Sequence, residues 1–143
     1  MNYEQIILIP LGGIGNRFKK NNYRTPKALI NIFGRPIIYY LLQNLNINQQ
    51  TLVYIVYNHE YHKFRFEDCI KKMFSGLNFK FLHLLNNTQG AAETINVALK
   101  NLNLSYDPPI LCLDADNFYT GDILESWNQQ NGVFYFLDNL DYF

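Results

Sequence analysis

The residues best suited to chemistry follow the first apolar run, in "LIPLGGIGNRFKKNNYRTPKALINIFGRP" (8–36). Gly12, Gly13 and Gly15 let the backbone turn sharply and leave its N–H groups unobstructed by Cβ atoms. Such N–H groups form a nest for an anion, and Arg17, Lys19, Lys20, Arg24 and Lys27 add positive charge around it. Arg17 can grip a phosphate with two parallel hydrogen bonds, whereas Lys27 supplies a mobile point charge. The competing reading is a tight turn whose basic residues are simply solvated. Two familiar phosphate loops are excluded. A dinucleotide fingerprint needs glycine where Phe18 stands, and an acidic residue closing the second strand, which ends "VYN". A P-loop needs Gly-Lys followed by Ser or Thr, which does not occur.

A second constellation closes the fourth apolar run, "PILCLDADN". Along a continuing strand, residues i and i+2 point the same way, so Asp114 and Asp116 could meet one cation. Alternatively one of them caps or turns the following loop. The three histidines offer less. "NHEYH" (58–62) lacks His-Glu-x-x-His spacing, and His83 alternates with apolar neighbours in an expected strand. Cys69 and Cys112 lie in apolar settings without metal-type spacing, and are expected as two buried thiols in a reducing compartment.

Positioning these residues requires a sheet. Short, nearly continuous apolar runs recur at 5–10, 51–57, 79–85, 109–115 and 132–138, as in strands covered on both faces. Helical spacing follows Pro36 (Ile38, Leu41, Leu42, Leu45) and fills the third connection (Ala91, Ile95, Ala98, Leu99, Leu102). The second connection, "EYHKFRFEDCIKKMFSG", predicts a weaker amphipathic helix with Gly76 just past its end. Thr120 is a candidate cap for a last short helix. Strands alternating with helices imply right-handed βαβ units and a Rossmann-like three-layer α/β/α domain with a mostly parallel sheet. Ligands of such sheets collect at the carboxyl ends of the strands, where the glycine loop and "LDADN" fall.

At 143 residues, with no repeat or linker, the chain is expected to form a single domain over 1–143. Twelve basic residues balance twelve acidic ones, which argues against an extended nucleic-acid footprint but permits a local basic pocket. No apolar run approaches the roughly 20 residues that span a bilayer. The start of the chain lacks signal-peptide features, so a cytoplasmic location is expected.

The motifs in order carry a more specific resemblance. "PLGGIGNRF", then "TPKALINIFGRPIIYYLLQNL", resembles the opening of the nucleotidyltransferases that activate sugar phosphates. Their pattern is a strand, Gly-x-Gly-x-Arg, Pro-Lys, a short strand, Gly-x-Pro and a helix. Here the elements are Gly13-Ile14-Gly15-Asn16-Arg17, Pro26-Lys27, "ALINIF" and Gly34-Arg35-Pro36. "NNTQGAAETINVAL" (86–99) is similar to the segment that approaches the base, and "LCLDADNFYTGDIL" (111–124) to the strand ending in a magnesium-binding aspartate.

The resemblance implies transfer of a nucleotidyl group from an NTP to a phosphorylated small molecule, most simply a sugar 1-phosphate, with release of pyrophosphate. Leu11, Gly12, Gly13, Ile14, Gly15 and Asn16 would then cradle the nucleotide's phosphates, Arg17 the departing pyrophosphate, and Lys27 the α-phosphate. Gln89 and Gly90, beside Thr88, would face the base, although Gln89 also suits an ordinary turn. Asp116 would bind Mg²⁺, and Asp114 is left between a second metal contact and a supporting neighbour. Two alternatives stay open: a glycosyltransferase using Asp114-Ala115-Asp116 as an Asp-x-Asp metal motif, and a short, non-catalytic nucleotide-binding form. Family chains run longer, so the domain is expected to be truncated, with Asp138 and Asp141 outside any matching context. An exposed last strand would favour a homo-oligomer.

Overall fold

The strand at Gln5–Leu11 (β1) is apolar from Ile6 to Leu11 because both of its faces are covered. A computed structural model describes residues 2–13, 20, 24–119 and 121–133. The next elements described after β1 are a 3₁₀ turn, Lys27–Leu29, and a small hairpin of β2 (Asn31–Ile32) and β3 (Arg35–Pro36). Helix α1 (Ile37–Asn44), β4 (Thr51–Asn58), α2 (His59–His62) and α3 (Phe66–Met73) follow. The remaining elements are β5 (Asn78–Leu84), α4 (Ala91–Leu102), β6 (Ile110–Cys112) and α5 (Ile123–Ser126).

Among the described residues the main sheet has the order β5-β4-β1-β6, and every pair in it is parallel. Alternation sorts its side chains into two cores. Ile7, Ile9, Val53, Ile55 and Tyr57 face α1, α2 and α3 through Ile38, Leu41, Tyr61, Phe66 and Ile70. Ile6, Leu8, Tyr54 and Val56 face α4 through Ala98 and Leu102. Helices therefore cover both faces, which is the three-layer α/β/α arrangement expected from the sequence. No helix among the described residues is long and apolar enough to cross a membrane.

Several local expectations are corrected. The fourth strand, expected over 109–115, ends at Cys112. Its ladder runs from Ile6 N–H donating to Pro109 O to Leu113 N–H donating to Leu8 O, and the next bond would need a donor on Pro10, which has none. The second connection is two helices rather than one, broken where Arg65 adopts φ 49°. Helix α3 then ends at Met73 with Phe74 as its cap, so Gly76 is not its C′ residue. The cap of α5 is Asp122, whose carboxylate accepts from Leu124 and Glu125 N–H at 3.0 and 3.1 Å; Thr120 lies outside the described residues. Both cysteines are exposed rather than buried, and neither belongs to either core: Cys69 lies on α3, and Cys112 lines the cleft beside β6. Of the fifth expected strand, Gly132 and Val133 are not in a strand, and 134–138 lies outside the described residues.

The hairpin fits the Gly-x-Pro element. Asn31 pairs with Pro36 and Ile32 with Arg35, leaving Phe33 and Gly34 as the two turn residues. Both have positive φ, 49° and 82°, the pattern of a type I′ turn. Glycine adopts this freely at the second position, and Tyr40 Oη steadies the hairpin by donating to Ile32 O at 2.6 Å.

Candidate active site

The sheet order places a topological switch beside β1: the chain moves outward through β4 and β5, then returns to β6 on the other side. Parallel sheets open a crevice at such a point, outside the carboxyl ends of the strands. Gly12 and Gly13 leave β1 there, Asn58 closes β4, Thr88 follows β5, and Asp114 and Asp116 follow β6.

Gly12 is fixed by its neighbours on two sides. A Cβ added there would lie 2.3 Å from Thr94 Oγ1 and 2.5 Å from Thr88 Oγ1, so only glycine fits without displacing them. Those two hydroxyls share a hydrogen bond of 2.6 Å, and Thr94 Oγ1 also meets Gly90 O at 3.1 Å. The glycine loop and the 88–94 segment, separate motifs in the sequence, are therefore in direct contact. On the other side Asn58, fully buried, donates from Nδ2 to Gly13 O at 3.0 Å and Gly12 O at 3.5 Å. Its Oδ1 accepts from Glu60 N–H at 3.1 Å and caps α2. Sequence reasoning used "VYN" only to reject a dinucleotide site. A polar residue ending an otherwise apolar buried strand was the signal for Asn58.

Lys27 heads the 3₁₀ turn, which is anchored by buried Ala28; the Ala28 N–H donates to Tyr61 Oη at 3.4 Å. Lys27 Nζ forms an ion pair with Asp116 Oδ2, both side chains being 39% exposed. Tyr61 lies close beneath. Burial pushes its phenol up to about 12, the Ala28 N–H opposes the shift, and the charges of Glu60 and Asp116 add to it. It remains a neutral phenol at neutral pH.

The two aspartates separate. Asp116 meets Lys27, whereas Asp114 lines an open cleft of about 790 Å³ along the β6 edge, with Cys112, Asn117 and Trp127. Burial around the Cys112 thiol and the nearby Asp114 charge hold that thiol above its ordinary value. Among the described residues no group of three or more His, Cys, Asp or Glu is arranged to hold a metal. A lone half-exposed carboxylate suits Mg²⁺ nonetheless, since that ion commonly takes one or two protein carboxylates and completes its shell with water and substrate phosphate.

Gln89 and Gly90 are exposed at the start of α4. The Gln89 N–H donates to Glu93 Oε2 at 2.6 Å, which makes its backbone part of the helix cap and leaves its amide side chain outside that bond. The histidines do not form a metal centre. His62 and His83 stack with rings 4.7 Å apart and 6° from parallel, so their nitrogens cannot converge on one ion. Leu11 is buried at the end of β1; Ile14, Gly15, Asn16 and Arg17 lie outside the described residues, as do Asp138 and Asp141.

A sequence-family model described as "Nucleotidyl transferase" matches residues 5–131. The bifunctional protein GlmU of Aquifex aeolicus (strain VF5) is 25% identical over 123 residues, 85% of this chain and 24% of that protein. The nucleoside-diphosphate-sugar pyrophosphorylase of Vibrio cholerae RC9 shares the fold with a TM-score of 0.65 at 21% identity, over 84% of this chain and 52% of that one. A UDP-glucose pyrophosphorylase solved with UDP-glucose gives a TM-score of 0.56 at 17% identity, over 80% of this chain and 46% of that one. The chain thus spans about a quarter of the curated relative and about half of each solved chain.

Proposed function

From the premise that the chain belongs to the nucleotidyl transferase family, we propose that it transfers a nucleotidyl group from an NTP to a sugar 1-phosphate, with Mg²⁺. A phosphate oxygen of the acceptor attacks the α-phosphorus in line. The new O–P bond forms as the bond to the β-phosphate breaks, and pyrophosphate departs. Such transfers depend on positioning and charge neutralisation rather than on covalent work by the protein.

The observation that carries this reading is the Lys27–Asp116 pair at the switch point, beside the backbone leaving β1. Lys27 is the mobile cation for the α-phosphate. A polyanionic ligand competes with Asp116 for it, and its transfer to phosphate frees the carboxylate oxygens for a cation. Asp116 would hold Mg²⁺, which when bound neutralises phosphate oxygens. The N–H groups of the glycine loop cradle the phosphates, with Arg17 holding the pyrophosphate. Gly90 and its neighbours Thr88 and Gln89 face the base, a role supported by the contact of Thr88 and Thr94 with Gly12. Asp114, on the cleft wall rather than against Lys27, is a supporting neighbour.

Thermal protection tests the reading. NTP with Mg²⁺ should raise the unfolding temperature. Protection by a nucleotide-sugar alone, with no effect of NTP, would instead support a glycosyltransferase. Protection by NTP without any pyrophosphate release would mark a nucleotide-binding form that lacks turnover.

A further inference from the structure

The geometry points to Asn58 as the residue that sets the orientation of the Gly12–Gly13 backbone, a role resting on the proposed reading of the glycine loop as an NTP site. Asn58 is fully buried at the end of β4, under the point where the chain leaves β1. Both of its polar atoms are committed: Nδ2 donates to the Gly13 and Gly12 carbonyls, and Oδ1 accepts from Glu60 N–H. A trans peptide is planar, with its C=O and N–H on opposite sides. With the Gly13 carbonyl held at 3.0 Å and the Gly12 carbonyl near it at 3.5 Å, both carbonyls face Asn58, and the Gly13 N–H, opposite the Gly12 carbonyl, is turned away from it and left for the phosphate of the proposed reading. The Thr88–Thr94 hydroxyl pair closes the remaining side of Gly12.

Asparagine is specified by this arrangement. Aspartate could accept from Glu60 N–H but would set a buried carboxylate against two carbonyl oxygens. Serine or threonine could keep the cap but would be too short to reach the carbonyls. The same side chain ties the Gly12–Gly13 backbone to the first turn of α2. Asn58 touches no substrate in this scheme; it is a positioning residue.

The test measures dissociation constants of Mg²⁺-NTP and of inorganic triphosphate for the wild type, Asn58→Ser and Asn58→Thr, at a temperature where circular dichroism shows the variants folded. Both ligands should bind about tenfold more weakly to the variants, as expected for losing the carbonyl ties. Unchanged constants beside a lowered Tm would make Asn58 a structural cap only, and overturn the proposal. In the wild type, the Asn58 side-chain amide resonances should shift on adding inorganic triphosphate. Binding without that shift also overturns it, whether or not the variants fold. If the wild type binds neither ligand, the phosphate-site reading itself fails, an outcome distinct from equal binding by wild type and variants.

Discussion

Lys27 and Asp116, 89 positions apart, meet as an ion pair at the carboxyl end of the sheet. One heads the 3₁₀ turn that follows the glycine loop, and the other follows β6. The sequence treats them as parts of two motifs, and the fold makes them neighbours. With both side chains 39% exposed, the pair contributes at most about 1 kcal/mol to stability. Under the proposed function its importance is chemical.

Lys27→Ala and Asp116→Asn should therefore leave the unfolding free energy within about 1 kcal/mol of wild type. Turnover should fall by about 100-fold or more, as for loss of a charge that stabilises a phosphoryl-transfer transition state. Arg17→Ala should produce a comparable loss, and Asp116→Asn should raise the Mg²⁺ concentration needed for half-maximal activity. Denaturant titration alongside a pyrophosphate assay separates the two effects. Wild-type turnover in Lys27→Ala would remove the lysine from the mechanism.

Gly12 and Gly13 should respond differently to alanine. A methyl at Gly12 collides with Thr88 and Thr94, whereas none of the described atoms lies within 4 Å of one placed on Gly13. Gly12→Ala should cost about 1–3 kcal/mol, the range for overpacking a close contact. Gly13→Ala should be nearly neutral for stability. Urea midpoints of the two variants give the comparison, and equal midpoints would contradict the close approach.

His83 should make stability depend on pH. Burial, then the charges of His62 and His59, hold its pKa below the ordinary 6.5, with Glu67 opposing. Its ring lies between Tyr57 and His62, and its Nε2 is buried with no partner among the described residues. A histidine with a depressed native pKa binds its proton more readily when unfolded. Its contribution is therefore present above pH 6.5 and is lost as pH falls through the lower native value. His83→Phe keeps the stack and removes the titration, so its Tm should fall less than that of wild type between pH 7 and pH 5. Parallel Tm curves would exclude His83 as the source.

Asp122→Ala should loosen the chain just after the site. It removes two bonds to backbone N–H groups at the start of α5 and should cost about 1 kcal/mol, measured by equilibrium unfolding.

How far the sequence revealed this depended on whether the signal was local. The covered strands β1 and β4, and the helices after Pro36 and Gly90, follow directly from apolar runs and three- and four-residue spacing. The end of β6 was not legible, because it depends on Pro10 in a neighbouring strand as well as on residues 113–115. The break between α2 and α3 was hidden by a helical pattern that continues through Arg65, whose left-handed backbone no residue-type rule demands. At the site, residue types and order indicated Lys27 and Asp116 but not that they pair. Gly12 was read for its flexibility, and the fold adds that it is the only residue small enough to pass Thr88 and Thr94. Asn58 shows in the sequence only as a polar residue ending an apolar strand, because its partners are the backbone carbonyls of Gly12 and Gly13 just past β1, which carry no signature in residue type.

The most direct test of nucleotidyl transfer incubates the chain with each NTP, a panel of sugar 1-phosphates and Mg²⁺, following pyrophosphate and nucleotide-sugar together. The account predicts equimolar formation of both products, dependent on the sugar phosphate and lost in Lys27→Ala. Pyrophosphate without nucleotide-sugar, or the same yield from Lys27→Ala, would contradict it.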